Sequence, residues 1–161
     1  KNCIDGLING TMDNNELADR IALRELIDKI SMLGDKKDFV HQTELFSENA
    51  ISETVAGGEI ILKLAGRKEM VQAFEKFLQD FDTVYHFNGQ QIVTINGDTA
   101  AGTCYCFITL IGNENGKRIK TTVGATYEDE YIRVSGQWLV AKRVGNFNWQ
   151  DKAVINSVQD R

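Results

Sequence analysis

Apolar side chains recur at helical spacing in the first half of the chain and at strand spacing in the second. After a cap-like run of Thr11, Asp13 and Asn14, the positions Leu17, Ile21, Leu23, Leu26, Ile27, Ile30 and Leu33 form one broad stripe, and Gly34 supplies a stop. The chain then turns through Asp35-Lys36-Lys37-Asp38 into a short helix expected from Phe39 to Phe46. Ala50 to Val55 and Glu59 to Leu64, split by Gly57-Gly58, read as a β-hairpin. Gly66-Arg67-Lys68 leads into a third helix. Its Phe74, Phe77 and Leu78, with Phe81, have the spacing of a core stripe rather than of a ligand stripe.

Four longer strands are expected after that, Thr83 to Ile95, Thr99 to Ile111, Arg118 to Val134 and Gln137 to about Phe147. Asn96-Gly97-Asp98, the run Gly112 to Gly116, and Ser135-Gly136 are turn chemistry, so sequential antiparallel pairing is the economical topology. Helices followed by a meander define an α+β domain. Strands this long exceed the usual length of about 5 or 6 residues, so the sheet must curve, and helices laid over its concave face close a pocket. Ala100, Gly102, Cys104 and Cys106 share one side of the second long strand, and their small side chains make that side the expected pocket wall, with Thr122, Gly124 and Thr126 beside it. Close helix-on-sheet packing explains the same small residues without a pocket. The segment from Gln150 to Arg161 has no apolar period and is left to fray, to cross a dimer interface or to lid the pocket.

Composition narrows the class. A chain of 161 residues with 42% hydrophobic content supports one core, read as a single domain over residues 1–161 with its centre at about 14–149. A net charge of −5 with scattered basic residues argues against nucleic acid or an anionic membrane surface, which leaves a small molecule or another subunit as partner. No run approaches the roughly 18 apolar residues of a membrane span, and Lys1 to Gly10 lacks a signal-peptide core, so a soluble, cytoplasmic protein is expected. Cys104 and Cys106 lie two apart in a strand, roughly 6.6 Å along the backbone, a spacing that suits neither a relaxed disulfide nor a zinc clip. No metal site is expected.

The candidate chemistry centres on His86, one of two histidines, and on Asp35. A histidine whose tautomer is fixed by a carboxylate is the commonest proton-moving device in proteins. Each residue also has a plainer reading: Asp35 as a cap for the following helix, and His86 as a half-buried strand residue bonded to a backbone carbonyl. His41, beside Gln42 and Glu44, reads as a solvated surface residue.

Three segments carry a resemblance: Ile21-Ala-Leu-Arg-Glu-Leu-Ile leading to Gly34-Asp35-Lys36-Lys37-Asp38-Phe39; His86-Phe-Asn-Gly-Gln-Gln-Ile-Val-Thr-Ile-Asn-Gly-Asp98; and Tyr127-Glu-Asp-Glu-Tyr131 followed by Gly136-Gln137-Trp138. In that order they resemble the SnoaL-like group of the nuclear-transport-factor-two-like superfamily, over roughly residues 17 to 147. The resemblance implies a cone-shaped α+β fold with a curved antiparallel sheet and three helices closing a pocket, frequently paired as a homodimer through the outer sheet face.

Scytalone dehydratase, the bile-acid dehydratases and hexachlorocyclohexane dehydrochlorinase have a working aspartate and histidine at the positions of Asp35 and His86. The implied roles are a proton taken from carbon by His86 and an imidazolium steadied by Asp35, in an elimination or isomerisation without a cofactor. Arg143 stands near an arginine of the dehydrochlorinase and is implied to stabilise a leaving anion. Ile30 replaces a pocket tyrosine of the bile-acid enzymes, and Cys104 or Cys106 stands near the second histidine of scytalone dehydratase, which argues against a scytalone substrate. Two other functions stay open: a binding or assembly module without turnover, and an epoxide-hydrolase-like site using Asp129 and Arg133.

Overall fold

The computed structural model describes residues 14–155. Thr11, Asp13, Cys3 and the last residues of the expected tail, 156–161, lie outside the described residues. The element order is α1 (Asn14–Asp35), α2 (Phe39–Glu44), β1 (Phe46–Ala56), β2 (Glu59–Ala65), α3 (Gly66–Leu78), β3 (Phe81–Asn96), β4 (Thr99–Glu114), β5 (Lys117–Val134) and β6 (Gln137–Val154). The tail therefore contributes strand as far as Val154, paired with Ile119 of β5, rather than fraying after Trp149.

All six strands join one sheet in the order β2-β1-β6-β5-β4-β3. The four long strands pair antiparallel in sequence, and β1 adds to β6 in parallel, a pairing the turn signals did not announce. Two-residue turns join all four antiparallel pairs. Asn115 and Gly116 both take positive φ, 51° and 75°, the conformation that matches the twist of a hairpin. The sheet is open, with β2 and β3 as its edges. Among the described residues no helix is long and apolar enough to cross a membrane.

Helix α1 lies on the concave face and buries Leu23, Leu26, Ile27 and Ile30 against Val93, Cys104, Tyr131 and Val140. Each such aliphatic side chain contributes about 1.5–3 kcal/mol of burial. Leu17 and Ile21, expected on the same stripe, are instead about half exposed; the first turns meet the sheet through Asp19, bonded to Arg133 and Trp138, and Arg20, bonded to the Val93 carbonyl. Exposed faces of the helix carry the pairs Glu16–Arg20, Arg24–Asp28 and Glu25–Lys29 at four-residue spacing.

Gly34 does not stop α1. The helix runs through it to Asp35, and the left-handed residue that breaks the chain is Lys37, at φ 57°. Gly34 is small for another reason: a Cβ there would sit 2.6 Å from Nε2 of Gln42, which packs across it to reach the Ile30 carbonyl at 2.9 Å.

A second apolar cluster, Val84, Cys106, Ile108, Leu110, Val123 and Ala125, occupies the other half of the concave face, toward α3. One strand serves both clusters through a bulge. In β3, Asn88 faces Cys106 and Gln91 faces Cys104, so Gly89 and Gln90 together oppose Tyr105 and the inward-facing parity changes. Strand β6 carries two more such insertions, at Ala141 and Asn148.

Candidate active site

Asp35 and His86 meet at the C-terminal end of α1. Asp35 is the last residue of the helix, and its Oδ1 lies 2.7 Å from His86 Nδ1, while the same carboxylate accepts the backbone N–H of His86 at 3.0 Å. A carboxylate accepts and does not donate, so the shared proton belongs on Nδ1. Nε2 meets no hydrogen-bond partner among the described residues, and in the neutral ring it is the nitrogen that carries the lone pair. Both side chains are largely withdrawn from solvent, at 15% and 19% exposure. The helix-capping explanation of Asp35 fails: Asp38 is the N-cap of α2, accepting from His41 N–H, and His41 is an exposed partner of that same cap.

A polar clasp holds the pair in register. Arg24 donates to the Gly89 carbonyl at 2.6 Å and to the Asn88 carbonyl at 3.2 Å, so α1 grips the bulge of β3. Asn88 answers with bonds to Asp28 at 2.9 Å and Ser31 at 3.0 Å. Two turns of helix separate this clasp from Asp35, and two residues of strand separate it from His86. The clasp therefore limits the slack between Asp35 and His86.

His86 opens on a cavity of about 220 Å³ between the sheet, α1 and α3. Ile30, Phe46, Phe74, Leu78, Ile108 and Phe147 are among its apolar walls, with Ser52, Thr54, Tyr127 and Arg143 as polar points. Its mouth is marked by Ile61 and Phe77, each 62% exposed although each lines the cavity. Phe74 and Leu78 pack against the two core clusters as expected and line the cavity as well, whereas Phe77 is exposed at its mouth. Their helical spacing was the same in either case, so sequence could not separate the two.

Of the expected wall residues, Ile30 and Arg143 line the cavity. Cys104 and Cys106 face inward but are spent on packing, Cys104 under α1 and Cys106 in the second cluster. Burial pushes both thiols up, Cys106 to about 12. Thr122, Gly124 and Thr126 lie on the opposite, convex face. Their partners across β4 are Thr109, Phe107 and Tyr105, all outward. Gly124 is small because a Cβ there would fall within the Trp149 indole, and Thr126 accepts from Asn148 at 2.8 Å.

Arg143 is a buried cation with a fixed counter-ion. Its Nε and Nη2 each donate to Asp129 at 2.8 Å, and Tyr131 O–H completes Asp129 at 2.9 Å. Burial by itself would lower the guanidinium's pKa. The adjacent Asp129 charge and its hydrogen bonds outweigh this and raise it, so the cation persists at any accessible pH. Arg133, the other arginine of that strand region, is spent elsewhere: it binds both oxygens of Asp19 at 2.8 and 2.7 Å and reaches Asp98 at 2.9 Å, which removes it from any Asp129-centred epoxide-hydrolase arrangement.

Sequence reasoning missed Gln42, Phe46, Ser52 and Thr54 as lining residues. The alternation of Ser52 and Thr54 along the hairpin was the available signal, but without the parallel β1–β6 pairing nothing placed that face inward. Tyr127 was ambiguous, and the structure turns it into the cavity.

An open, curved sheet with helices over its concave face is the nuclear-transport-factor-two-like fold. Within it the chain belongs to the SnoaL-like family, whose domain model matches residues 15–144. An uncharacterised protein of Mycobacterium tuberculosis is 25% identical over 130 residues, covering 80% of this chain and 85% of that protein. Among solved structures, a provisional scytalone dehydratase from Novosphingobium aromaticivorans is similar at a TM-score of 0.75 and 15% identity, over 88% of this chain and 91% of that one. A type 3 hexachlorocyclohexane dehydrochlorinase from Novosphingobium barchaimii is similar at 0.73 and 20%, over 88% and 95%.

Proposed function

We propose that this protein is a cofactor-independent lyase or isomerase of dehydratase type, acting on a small, mostly apolar cyclic or polyketide-like molecule. The observation that carries the reading is the 2.7 Å bond between Asp35 and His86 Nδ1, with His86 lining a largely apolar cavity. Nε2 then acts as the base toward a carbon-bound proton, and Asp35 stabilises the imidazolium that forms. Arg143 faces the developing negative charge. Moving a proton and a leaving group within one molecule transfers no electrons to an acceptor, so the chemistry calls on no cofactor. The names of two structural relatives, a dehydratase and a dehydrochlorinase, describe eliminations and support the same class.

The decisive experiment pairs turnover with ligand affinity. A panel of cyclic β-hydroxy ketones and cyclic halides is followed by the ultraviolet absorbance of the unsaturated product, for the parent, His86→Ala and Asp35→Asn. Loss of a general base lowers turnover by about 10²–10⁴-fold. Ligand binding with no turnover, and with affinity unchanged in His86→Ala, would establish a binding module instead.

We also propose a homodimer formed through the convex sheet face. Tyr85, Phe87, Tyr105, Phe107 and Trp149 all stand about half exposed there, an unusually aromatic patch for a solvated surface. Sedimentation equilibrium of the parent and of Phe107→Glu tests this, and a monomeric parent excludes it.

A further inference from the structure

Strand β5 pairs with β4 from Lys117 to Ile132 without a register shift, so its even-numbered residues all stand on the convex face of the sheet. Along the strand these are Arg118, Lys120, Thr122, Gly124, Thr126, Glu128 and Glu130. Cations hold one end, carboxylates the other, and small side chains lie between them. The charges invert about Gly124. Lys120 and Glu128 stand equally far from it on opposite sides, and so do Arg118 and Glu130.

Gly124 is also the middle of the aromatic patch. It pairs with Phe107 on β4 and with Trp149 on β6, and Phe107 pairs in turn with Phe87 on β3. The Phe107 and Trp149 rings meet edge to face at 5.8 Å. An apolar centre with charge kept to its rim is the anatomy of a protein–protein interface. The inner two charges are unpaired inside the chain. Lys120 is flanked across the sheet by Ile111 and Ala153, and Glu128 by Thr103 and Val144, and neither forms an ion pair among the described residues. Arg118 differs, being bound to Asp82 at 2.8 Å, and Glu130 has Lys142 beside it on β6. Lys120 and Glu128 therefore carry the argument.

We propose that a second copy of this chain packs on the convex face with β5 over β5 and antiparallel, about a two-fold axis that passes by Gly124 and lies across the strands. The proposal rests on the reading of this face as the homodimer interface, and it fixes the register of the partner. Rotation about that axis sets each residue over the one equally far from Gly124 in the other direction. Lys120 then meets the partner's Glu128, Arg118 meets the partner's Glu130, and both contacts occur twice, as an isologous interface requires. Phe87, Phe107 and Trp149 lie along the axis and form the dry centre. An axis along the strands would set like charge over like, which opposes that orientation. Aligned sheets cross at about 30° because each is twisted, and the long Lys, Arg and Glu side chains span the gap that opens away from the axis.

Sedimentation equilibrium of the parent, Lys120→Glu, Glu128→Lys and the double variant carrying both tests the register. Each single variant sets like charge against like at both symmetric contacts, so its dimer dissociation constant should rise about tenfold or more. An equimolar mixture of the two single variants should dimerise as the parent does, because the acidic face of one copy meets the basic face of the other. The double variant exchanges the two signs and should recover in the same way. Single variants that dimerise like the parent, or a loss that neither the mixture nor the double variant restores, overturn the proposal. If Phe107→Glu abolishes the dimer while both charge variants leave it intact, the interface reading stands and this register does not. A monomeric parent removes both.

Discussion

Replacing Asp129 by asparagine should cost the protein much of its stability, although the two side chains are nearly isosteric. Asp129 is 1% exposed and Arg143 10%, and two bonds of 2.8 Å join them. The amide keeps one acceptor, turns an N–H toward the guanidinium and leaves the cation without its counter-ion. Removing one partner of a buried pair costs about 3–5 kcal/mol. In a domain of this size each kcal/mol corresponds to roughly 2–4 °C, so the melting temperature should fall by roughly 6–20 °C. Urea denaturation at neutral pH, followed by tryptophan fluorescence, measures the change. An unaltered slope with denaturant shows that the effect is on stability and not on the denatured state. The double variant Asp129→Leu with Arg143→Met removes both charges and should recover most of the loss. A single Asp129→Asn variant within about 1 kcal/mol of the parent would refute the claim that this pair is desolvated.

Two further outcomes follow from titratable groups away from the cavity. Hydrogen bonds from Arg133 and then from Trp138 hold the Asp19 carboxyl below its ordinary 3.8, so its contribution is present above that value and is lost as the pH falls through the lower folded-state value; Asp19→Asn should flatten the acid limb of a stability–pH curve, and an unchanged limb would exclude the linkage. Because burial raises both thiols, Cys104 and Cys106 should resist iodoacetamide at about pH 8 until the chain is unfolded, with peptide mass mapping to locate the label; rapid native labelling at either would contradict the packed arrangement.

The helices and the order of the strands were legible because each rests on a local period or a local turn. The pairing of Asp35 with His86 was legible only through resemblance, since the two are separated by 51 positions and nothing local joins them. Faces were the hard part. The two-residue turn Asn115-Gly116 pairs even positions of β4 with odd positions of β5, whereas the wider run from Gly112 to Gly116 had suggested no particular parity. Thr122, Gly124 and Thr126 were therefore grouped with the inward cysteines, when they lie on the other side, where Gly124 makes room for the Trp149 indole beside Phe107. Arg143 shows the converse. It stands five positions after Trp138, an odd spacing that alternation sends to opposite faces, yet the extra residue at Ala141 returns both to the interior.

The bulge in β3 separates the inheritance of two properties along one strand. Before Gly89, Val84 and His86 stand at the second cluster and the cavity; after Gln90, Val93 and Ile95 pack under α1. Unbroken alternation through the same residues, with no bulge, would turn Val93 and Ile95 outward while His86 kept its orientation. The short insertion thus acts as a boundary between modules smaller than a domain. Substitutions on one side can retune what the cavity accepts, while those on the other adjust how firmly the chain holds together, with little traffic between the two.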